Sequence, residues 1–365
     1  MTGFLTRKAK IESEKSLGPF CFIYRRAEYK PIGPRKEDGT SSRSHAECEA
    51  LIKEAKTVED LKQVFYEGVD PGIRAKVWRM LFKYVPVKSG NEATILLQSR
   101  AEYKELCELY TETRFAQQND SVVLDTIKLI RRDVLRTLPD SKVFRDPLVQ
   151  RAMVRALMIY SIRHPSNLYS QGMNDILAPI FAVFLADYFG LTSDQLQTDP
   201  SPLERVKGDD WILMPEADAY NCFALLLSGM KANYVKGFEG VTESLKKMHL
   251  LISKADKELS SHLEKNEVEI FHFCFRWVFC LMLREVPLNL SIKLIDYYLV
   301  EEYPPSELCL YLALALLLRY SKKVKELQRE QIIIYLQSLP TAEWGEQDIQ
   351  LLVSEAYALR AYFNK

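Results

Sequence analysis

The chain has 365 residues, of which 47% are hydrophobic, and its 49 basic and 49 acidic side chains give a formal net charge of +0. This balance gives no support to binding of nucleic acid or an anionic membrane through the whole surface, although a local patch stays open. The seven cysteines include no C-x-x-C pair, so we expect buried, reduced thiols in a cytoplasmic protein and no zinc site.

The first element is a polar N-terminal segment, residues 1–55, which we expect to be partly disordered. Its basic residues are not followed by an apolar run, which argues against a signal peptide. The stretch CFIYRR, residues 21–26, is the best candidate for a β-strand, and alternating apolar and polar runs are otherwise scarce.

From residue 56 onward, apolar residues recur with the period of an α-helix. The stretch 122–139 carries an apolar stripe that an amphipathic helix would bury, and we expect this helix to stop at Pro139. A polar insertion at 192–210 reads as a surface loop by composition. The pattern as a whole predicts an all-α fold of a dozen or more helices.

The two longest apolar stretches, residues 176–186 and 308–318, are shorter than the ~20 residues that a bilayer-spanning helix needs. We expect both to be buried helices and the chain to have no transmembrane segment. The sequence contains no G-x-x-x-x-G-K-[ST] loop, dinucleotide fingerprint, H-E-x-x-H or G-x-S-x-G motif. A role in catalysis would therefore use no metal, nucleotide loop or nucleophile of the chain's own.

Two stretches pair a charged side chain with a neighbour on one helical face. GVDPGIRAKVWRML places Arg74 and Trp78 at i, i+4, where an exposed cation stacked on the ring would contribute roughly 0.5–1 kcal/mol. IRRDVLRTLP places Asp133 and Arg136 at i, i+3, where a surface ion pair would contribute roughly 0.3–0.5 kcal/mol. Taken singly, each pair is interpreted more simply as an ordinary structural contact than as a functional site.

A third stretch, YSQGMND, lies between a proline-containing turn and the apolar run of residues 176–186. It presents Tyr169 and Gln171 on a short polar turn before a buried helix. Asn174 and Asp175 follow at the start of that helix, and we expect them to cap it. The turn is either a capped helix start or a pair of side chains presented to a partner.

Together and in this order, the three stretches resemble the TBC domain, the GTPase-activating module for Rab GTPases. GIRAKVW matches the family's R-x-x-x-W motif, IRRDVLR its I-x-x-D-x-x-R motif and YSQG its Y-x-Q motif. FRWVFCLMLREVPL, residues 275–288, looks like a further family stretch, and the C-terminal sequence is similar to the Golgi-acting branch. One departure is Ile295, which stands where the family commonly has tryptophan, although Asp296 is retained.

The resemblance implies that the catalytic residues are Arg136, as an arginine finger, and Gln171, as a glutamine finger. An arginine supplied in trans offsets charge on the transferring phosphate and is worth roughly 10³–10⁵ in rate. A glutamine can hold the attacking water through its carbonyl while its amide donates to the phosphate. In TBC proteins these two groups displace the GTPase's own glutamine.

Supporting roles follow from the same resemblance. Asp133 would orient the arginine or its neighbours, and Tyr169 would contact the displaced glutamine of the partner. Arg74 and Trp78 would hold the groove for the GTPase together. This groove would lie in a TBC domain, residues 56–365, between an N-terminal catalytic lobe of about 56–215 and a C-terminal helical lobe of about 216–365.

The expected partner is a Rab-type small GTPase in its GTP-bound state, and no nucleic acid is expected to bind. By acting on this GTPase the chain would regulate vesicle trafficking. The chain would activate hydrolysis without hydrolysing nucleotide by itself and would have no cofactor of its own, because GTP and magnesium belong to the GTPase. Two alternatives stay open: a TBC fold that binds a GTPase or another partner without accelerating hydrolysis, and a plain helical scaffold. Recruitment to the periphery of Golgi or endosomal membranes also stays open.

Overall fold

The computed structural model describes residues 45–364 except 67, 89, 118–119 and 167–168. All regular structure in these residues is helical and none of it is β-strand, which confirms the predicted all-α fold. The strand candidate at 21–26 lies outside the described residues. The α-helices of the described part are α1 His45–Glu54, α2 Val58–Phe65, α3 Arg74–Leu81, α4 Glu92–Leu109, α5 Glu112–Gln117, α6 Ser121–Val134, α7 Lys142–Arg145, α8 Pro147–Arg163, α9 Met173–Tyr188, α10 Ser193–Thr198, α11 Ser201–Arg205, α12 Leu213–Ser228, α13 Glu239–Ala255, α14 Lys257–Lys265, α15 Phe271–Phe279, α16 Leu288–Val300, α17 Pro305–Arg319, α18 Ser321–Val324, α19 Arg329–Gln337 and α20 Glu346–Phe363.

The centre of the fold is α9, in which every side chain from Ile176 to Ala186 is buried. A helix that is apolar on all sides must be covered on all sides, and α9 packs against α12, α8, α16 and α3. Helix α17 is covered in the same way, chiefly by α20. The two longest apolar stretches are therefore core helices, and none of the described helices has the length and apolar character that a bilayer crossing requires.

The polar N-terminal segment ends earlier than residue 55. Helix α1 begins at His45 and lies against α2. Cys48 and Ile52, at i and i+4, are both buried, so one face of this helix joins the core. The N-terminal segment of residues 1–55, expected to be partly disordered, thus contains ten helical residues, which two apolar anchors among charged neighbours signal only weakly.

The boundary expected between the lobes, at residue 215, falls inside α12. This helix packs against α4, α8 and α9, so residues 216–228 belong with the first group of helices. Buried acids fix it there: Glu216 pairs with Arg155, and Asp218 pairs with Arg79. A division of the chain into two lobes near this position stays a prediction, and α12 as a whole packs with the helices before it.

That polar insertion is helical in part and not a plain surface loop. Thr192 caps α10 through a capping box with Gln195, and α11 follows directly. Leu196 and Leu203 are buried and attach the two short helices to the body of the protein. Two leucines are enough to fold a segment that is otherwise polar, and composition alone hides them.

Candidate functional site

Arg136 lies on a turn that directly follows α6. The helix ends at Val134, earlier than the predicted stop at Pro139, and Leu138 takes a left-handed conformation with φ 46°. A residue before proline is disfavoured in the α-helical region, so the chain leaves the helix before Pro139. The Arg136 side chain, which is 49% exposed, is thereby directed away from the apolar stripe.

The partner of Arg136 is a fully buried acid. Asp133 accepts a hydrogen bond from Nη2 of Arg136 and another, of 2.8 Å, from the hydroxyl of Tyr169. The simple interpretation of Asp133 and Arg136 as a surface ion pair was therefore wrong for Asp133, which has no exposed side-chain surface. This contact is the one that an orienting role of Asp133 requires, and it leaves part of the guanidinium open to solvent.

Gln171 lies at the tip of a β-turn formed by residues 170–173. The amide of Met173 donates to the carbonyl of Ser170 at 3.1 Å, and Gly172, at the third position, has φ 109° and ψ −17°. A turn of this type needs a residue that tolerates positive φ. The Gln171 side chain is exposed, and within the described part of the chain it accepts and donates no hydrogen bond.

A buried polar network joins the two turns. Asn174 accepts from the amide of Gly172 at 3.1 Å and donates to the hydroxyl of Thr137 at 2.9 Å. The Thr137 hydroxyl in turn donates to the carbonyl of Asp133 at 2.9 Å. Buried polar groups that are all paired rigidify their surroundings, so this network holds the turns that carry Arg136 and Gln171 in one arrangement.

The expectation that Asn174 and Asp175 cap the following helix was wrong. The N-cap of α9 is Gly172, which has no side chain to accept from the amides of the first turn. Asn174 lies in the first turn of the helix and is buried in the network instead. Tyr169 is also buried, with its hydroxyl directed inward, and its contact with a partner stays a prediction.

Arg74 and Trp78 share one buried acid, Asp296 of α16. The Nε of Arg74 lies 3.2 Å from the carboxylate, and the indole N–H of Trp78 donates to it at 2.7 Å. Arg74 is itself buried, so the interpretation as an exposed cation stacked on Trp78 was wrong. Ile295 is fully buried beside Asp296, and the departure from the family's tryptophan is accordingly a change in core packing.

Burial raises the pKa of Asp296, although Arg74 and Trp78 favour its ionised form. These contacts join α3 to α16. The first turn of α16 supplies Leu288 and Ser291 to the cleft described next. The supporting role expected of Arg74 and Trp78, as residues that hold the groove for the GTPase together, stays a prediction.

The two turns open into a cleft of about 290 Å³, which both Arg136 and Gln171 line. Its far side is formed by residues 283–286, in the loop between α15 and α16. Asp175 lies at the same cleft, 3.4 Å from Nη1 of Arg284. Burial is the main reason that the pKa of Asp175 rises to about 6, and Arg284 opposes the rise.

Sequence reasoning missed Thr137 and Arg284 at this site. Thr137 is separated from the YSQG stretch by two helices, α7 and α8, and its contact with Asn174 depends on how α6 and α9 pack. Arg284 lies in a stretch that was matched to the family only as a whole. The order of residues in FRWVFCLMLREVPL does not reveal which charged side chain faces the cleft.

Comparison with known proteins places the chain among proteins with this fold and these motifs. Residues 71–325 match the model of the Rab-GTPase-TBC domain. The human TBC1 domain family member 22B is 34% identical over 307 residues, which are 84% of this chain and 59% of that protein. GTPase-activating protein gyp1 of Schizosaccharomyces pombe is 32% identical over 310 residues, covering 83% of this chain and 58% of that protein.

Solved structures of related domains support the same family assignment. The Ypt/Rab-GAP domain of Gyp1p is 30% identical and superimposes with a TM-score of 0.78, covering 87% of this chain and 98% of that one. The Chlamydomonas flagellar RabGAP TBC domain, 17% identical with a TM-score of 0.57, shares the fold. The chain therefore belongs to the Rab-GTPase-TBC domain family. It spans about three fifths of the length of the curated relatives it matches.

Proposed function

We propose that this chain accelerates GTP hydrolysis by a Rab-type small GTPase, to which it supplies Arg136 and Gln171. The observation that carries the proposal is that these two exposed side chains, on separate turns, line one cleft and are braced by one buried network. The family assignment and relatives named as GTPase-activating proteins support it. The matched region of those relatives is only part of their length, so the activity is proposed for this chain on its own.

Arg136 would act on the charge that builds up on the transferring phosphate. A guanidinium stays protonated at any physiological pH and offers a planar fork of N–H groups to phosphate oxygens. Asp133 holds one edge of this fork and leaves the other edge free. Because Asp133 is buried and is paired also with Tyr169, Arg136 would reach the phosphate without a large loss of side-chain entropy.

Gln171 would position the attacking water. Its amide carbonyl can accept from the water while its N–H₂ group donates to the phosphate. The turn that carries it is fixed by Gly172 and by the hydrogen bond from Gly172 to Asn174, and a rigid turn suits a group that must be held in one geometry. GTP and magnesium would be bound by the GTPase, in its GTP-loaded state.

The cellular setting is also part of the proposal. The resemblance of the C-terminal stretch to the Golgi-acting branch of the family favours action in vesicle trafficking at Golgi or endosomal membranes. Peripheral attachment there would place Arg136 and Gln171 near membrane-bound Rab proteins.

The experiment is single-turnover phosphate release from a panel of GTP-loaded Rab proteins, with wild type, Arg136→Ala and Gln171→Ala. Matched controls are Arg131→Ala, an exposed arginine of α6 paired with Glu112, and Gln98→Ala, an exposed glutamine of α4. We expect wild type to accelerate one or a few Rab proteins. Arg136→Ala should lose activity by about 10³–10⁵ and Gln171→Ala should lose most of the acceleration, while the controls stay within about twofold.

Two outcomes would contradict the proposal. Finger variants that match wild type would exclude the dual-finger mechanism. A wild type that binds a GTP-loaded Rab without accelerating any would favour the alternative of a catalytically silent binding module.

A further inference from the structure

The loop between α15 and α16 has a constrained backbone at the cleft. Leu281 and Met282 are consecutive residues with positive φ, 53° and 60°, and both are fully buried. The hydroxyl of Tyr298 donates to the carbonyl of Leu281 at 2.9 Å, and the amide of Met282 donates to the backbone carbonyl of Trp277 at 2.7 Å. Non-glycine residues persist in this conformation only where their surroundings impose it, often beside functional sites.

This turn determines which side chains of the next residues face the cleft. Leu283 and Glu285 are buried, whereas Arg284 between them is 43% exposed. Glu285 is held by two hydrogen bonds of 2.7 Å from Arg276, which also donates to a backbone carbonyl. Among the described residues, Arg284 has one ion pair, of 3.4 Å, with Asp175.

The adjacent residues Arg284 and Glu285 therefore differ in how firmly their side chains are bound. Arg276 and Glu285 form a bidentate, half-buried pair of the kind that fixes a loop. The pair of Arg284 with Asp175 is long and partly exposed, and such pairs add little stability. Asp175 keeps a hydrogen bond of 3.1 Å from Asn174 when Arg284 moves away. Arg284 can thus change partners without disturbing the loop.

The position of Arg284 indicates what the new partner would be. Arg284 lines the same cleft as Arg136 and Gln171, beside the apolar side chains of Leu283 and Val286. Because Arg136 is already placed to take the charge of the phosphate, a second group of the same kind is not required there. The group that Arg284 contacts in the free chain is a carboxylate, and an arginine fork is suited to pair with a carboxylate from a partner.

Resting on the proposed function, we propose that Arg284 is a docking residue that exchanges Asp175 for an acidic side chain of the bound GTPase. The loop between α15 and α16 is then the second wall of the docking cleft. Arg284 contributes to affinity and to the choice of GTPase, and it does not act on the nucleotide.

The test compares Arg284→Ala and Arg284→Glu with wild type on a Rab that responds to wild type, measuring kcat and KM separately. The matched control is Arg151→Glu, since Arg151 is also exposed and singly paired, with Asp209, and does not line the cleft. We expect KM to rise about tenfold for Arg284→Ala and further for Arg284→Glu, with kcat within about twofold. The control and the melting temperature of Arg284→Ala should be unchanged, whereas Arg284→Glu, which places a second acid beside Asp175, should melt somewhat lower.

A lysine placed at the contacting acid of the GTPase should restore a low KM to Arg284→Glu and weaken wild type. Unchanged KM in both Arg284 variants would overturn the inference while the proposed function stands. A fall in kcat at constant KM would mean that Arg284 acts on the nucleotide phosphate, and a large loss of melting temperature would assign it to the fold. A wild type without activity on any Rab would overturn both proposals.

Discussion

Substitution of Gly172 by alanine tests how strictly the backbone beside Gln171 is fixed. At φ 109° an alanine is strained, by about 1–2 kcal/mol if the penalty is that of a left-handed residue. A Cβ at this position would also lie 2.7 Å from Sγ of Cys280 and 3.1 Å from the ring of Phe279. Such overpacking in a buried site adds about 1–3 kcal/mol.

The expected loss in free energy of unfolding for Gly172→Ala is therefore about 2–5 kcal/mol. Gly190→Ala is the matched control, because Gly190 has φ 66° but nothing within 4 Å of the position that a Cβ would take. The free energy of unfolding of Gly190→Ala should therefore fall only by the cost of backbone strain, about 1–2 kcal/mol. Urea denaturation of both variants and of wild type measures the difference.

Removal of the clashing atom separates packing from strain. In the double variant Gly172→Ala with Cys280→Ala, the nearest contact is absent, so the two substitutions should cost about 1 kcal/mol less than the sum of their separate effects. Phosphate release should fall for Gly172→Ala even where the protein is fully folded, because the turn that carries Gln171 must shift. Equal stability losses at Gly172 and Gly190, with unchanged activity, would refute the reasoning.

Three further predictions concern residues that line or support the cleft. Asp296→Ala should lower the free energy of unfolding by about 3–5 kcal/mol, because it leaves the buried guanidinium of Arg74 without its partner. Trp78→Phe, which removes one hydrogen bond to the same acid, should lose less, and both are measured by chemical denaturation. Because the pKa of Asp175 rises from 3.8 to about 6, its ionisation opposes folding as pH increases through this window. Asp175→Asn should therefore gain up to roughly 3 kcal/mol relative to wild type at pH 7.5 and little at pH 4, as measured by denaturation at both pH values.

Each of these predictions could be contradicted by a specific result. An Asp296→Ala variant as stable as Trp78→Phe would mean that Arg74 finds another partner. A gain for Asp175→Asn that is the same at both pH values would show that the effect is one of packing and does not come from ionisation.

The apolar period predicted the helical fold because it reports which face of each helix is buried. Ile127, Ile130 and Val134 of α6 are all buried, as the stripe required. Arg136 lies beyond the end of this helix, and its side chain is exposed. The position of Gln171 on a turn could be read from the sequence, since Gly172 marks a chain reversal by local chemistry. The position of Arg136 could not, because the helix was expected to continue to Pro139 and instead ends at Val134.

The burial of charged residues could not be read in this way. Asp133 and Asp296 look like surface acids in their own helices, and they are buried because Tyr169 and Arg74 reach them from distant parts of the chain. Arg284 faces the cleft because of the backbone conformation of the two residues before it. These outcomes depend on tertiary packing, which neither periodicity nor composition encodes in one segment.

The central claim is that this chain supplies both catalytic side chains, Gln171 and Arg136, to the GTPase. The most direct test is single-turnover phosphate release from a responsive Rab whose own catalytic glutamine has been replaced by alanine. We predict that wild type still accelerates hydrolysis by this Rab and that Gln171→Ala abolishes the acceleration. If the Rab variant no longer responds, and Gln171→Ala behaves as wild type on the unmodified Rab, then Gln171 is not a catalytic group and the claim is wrong.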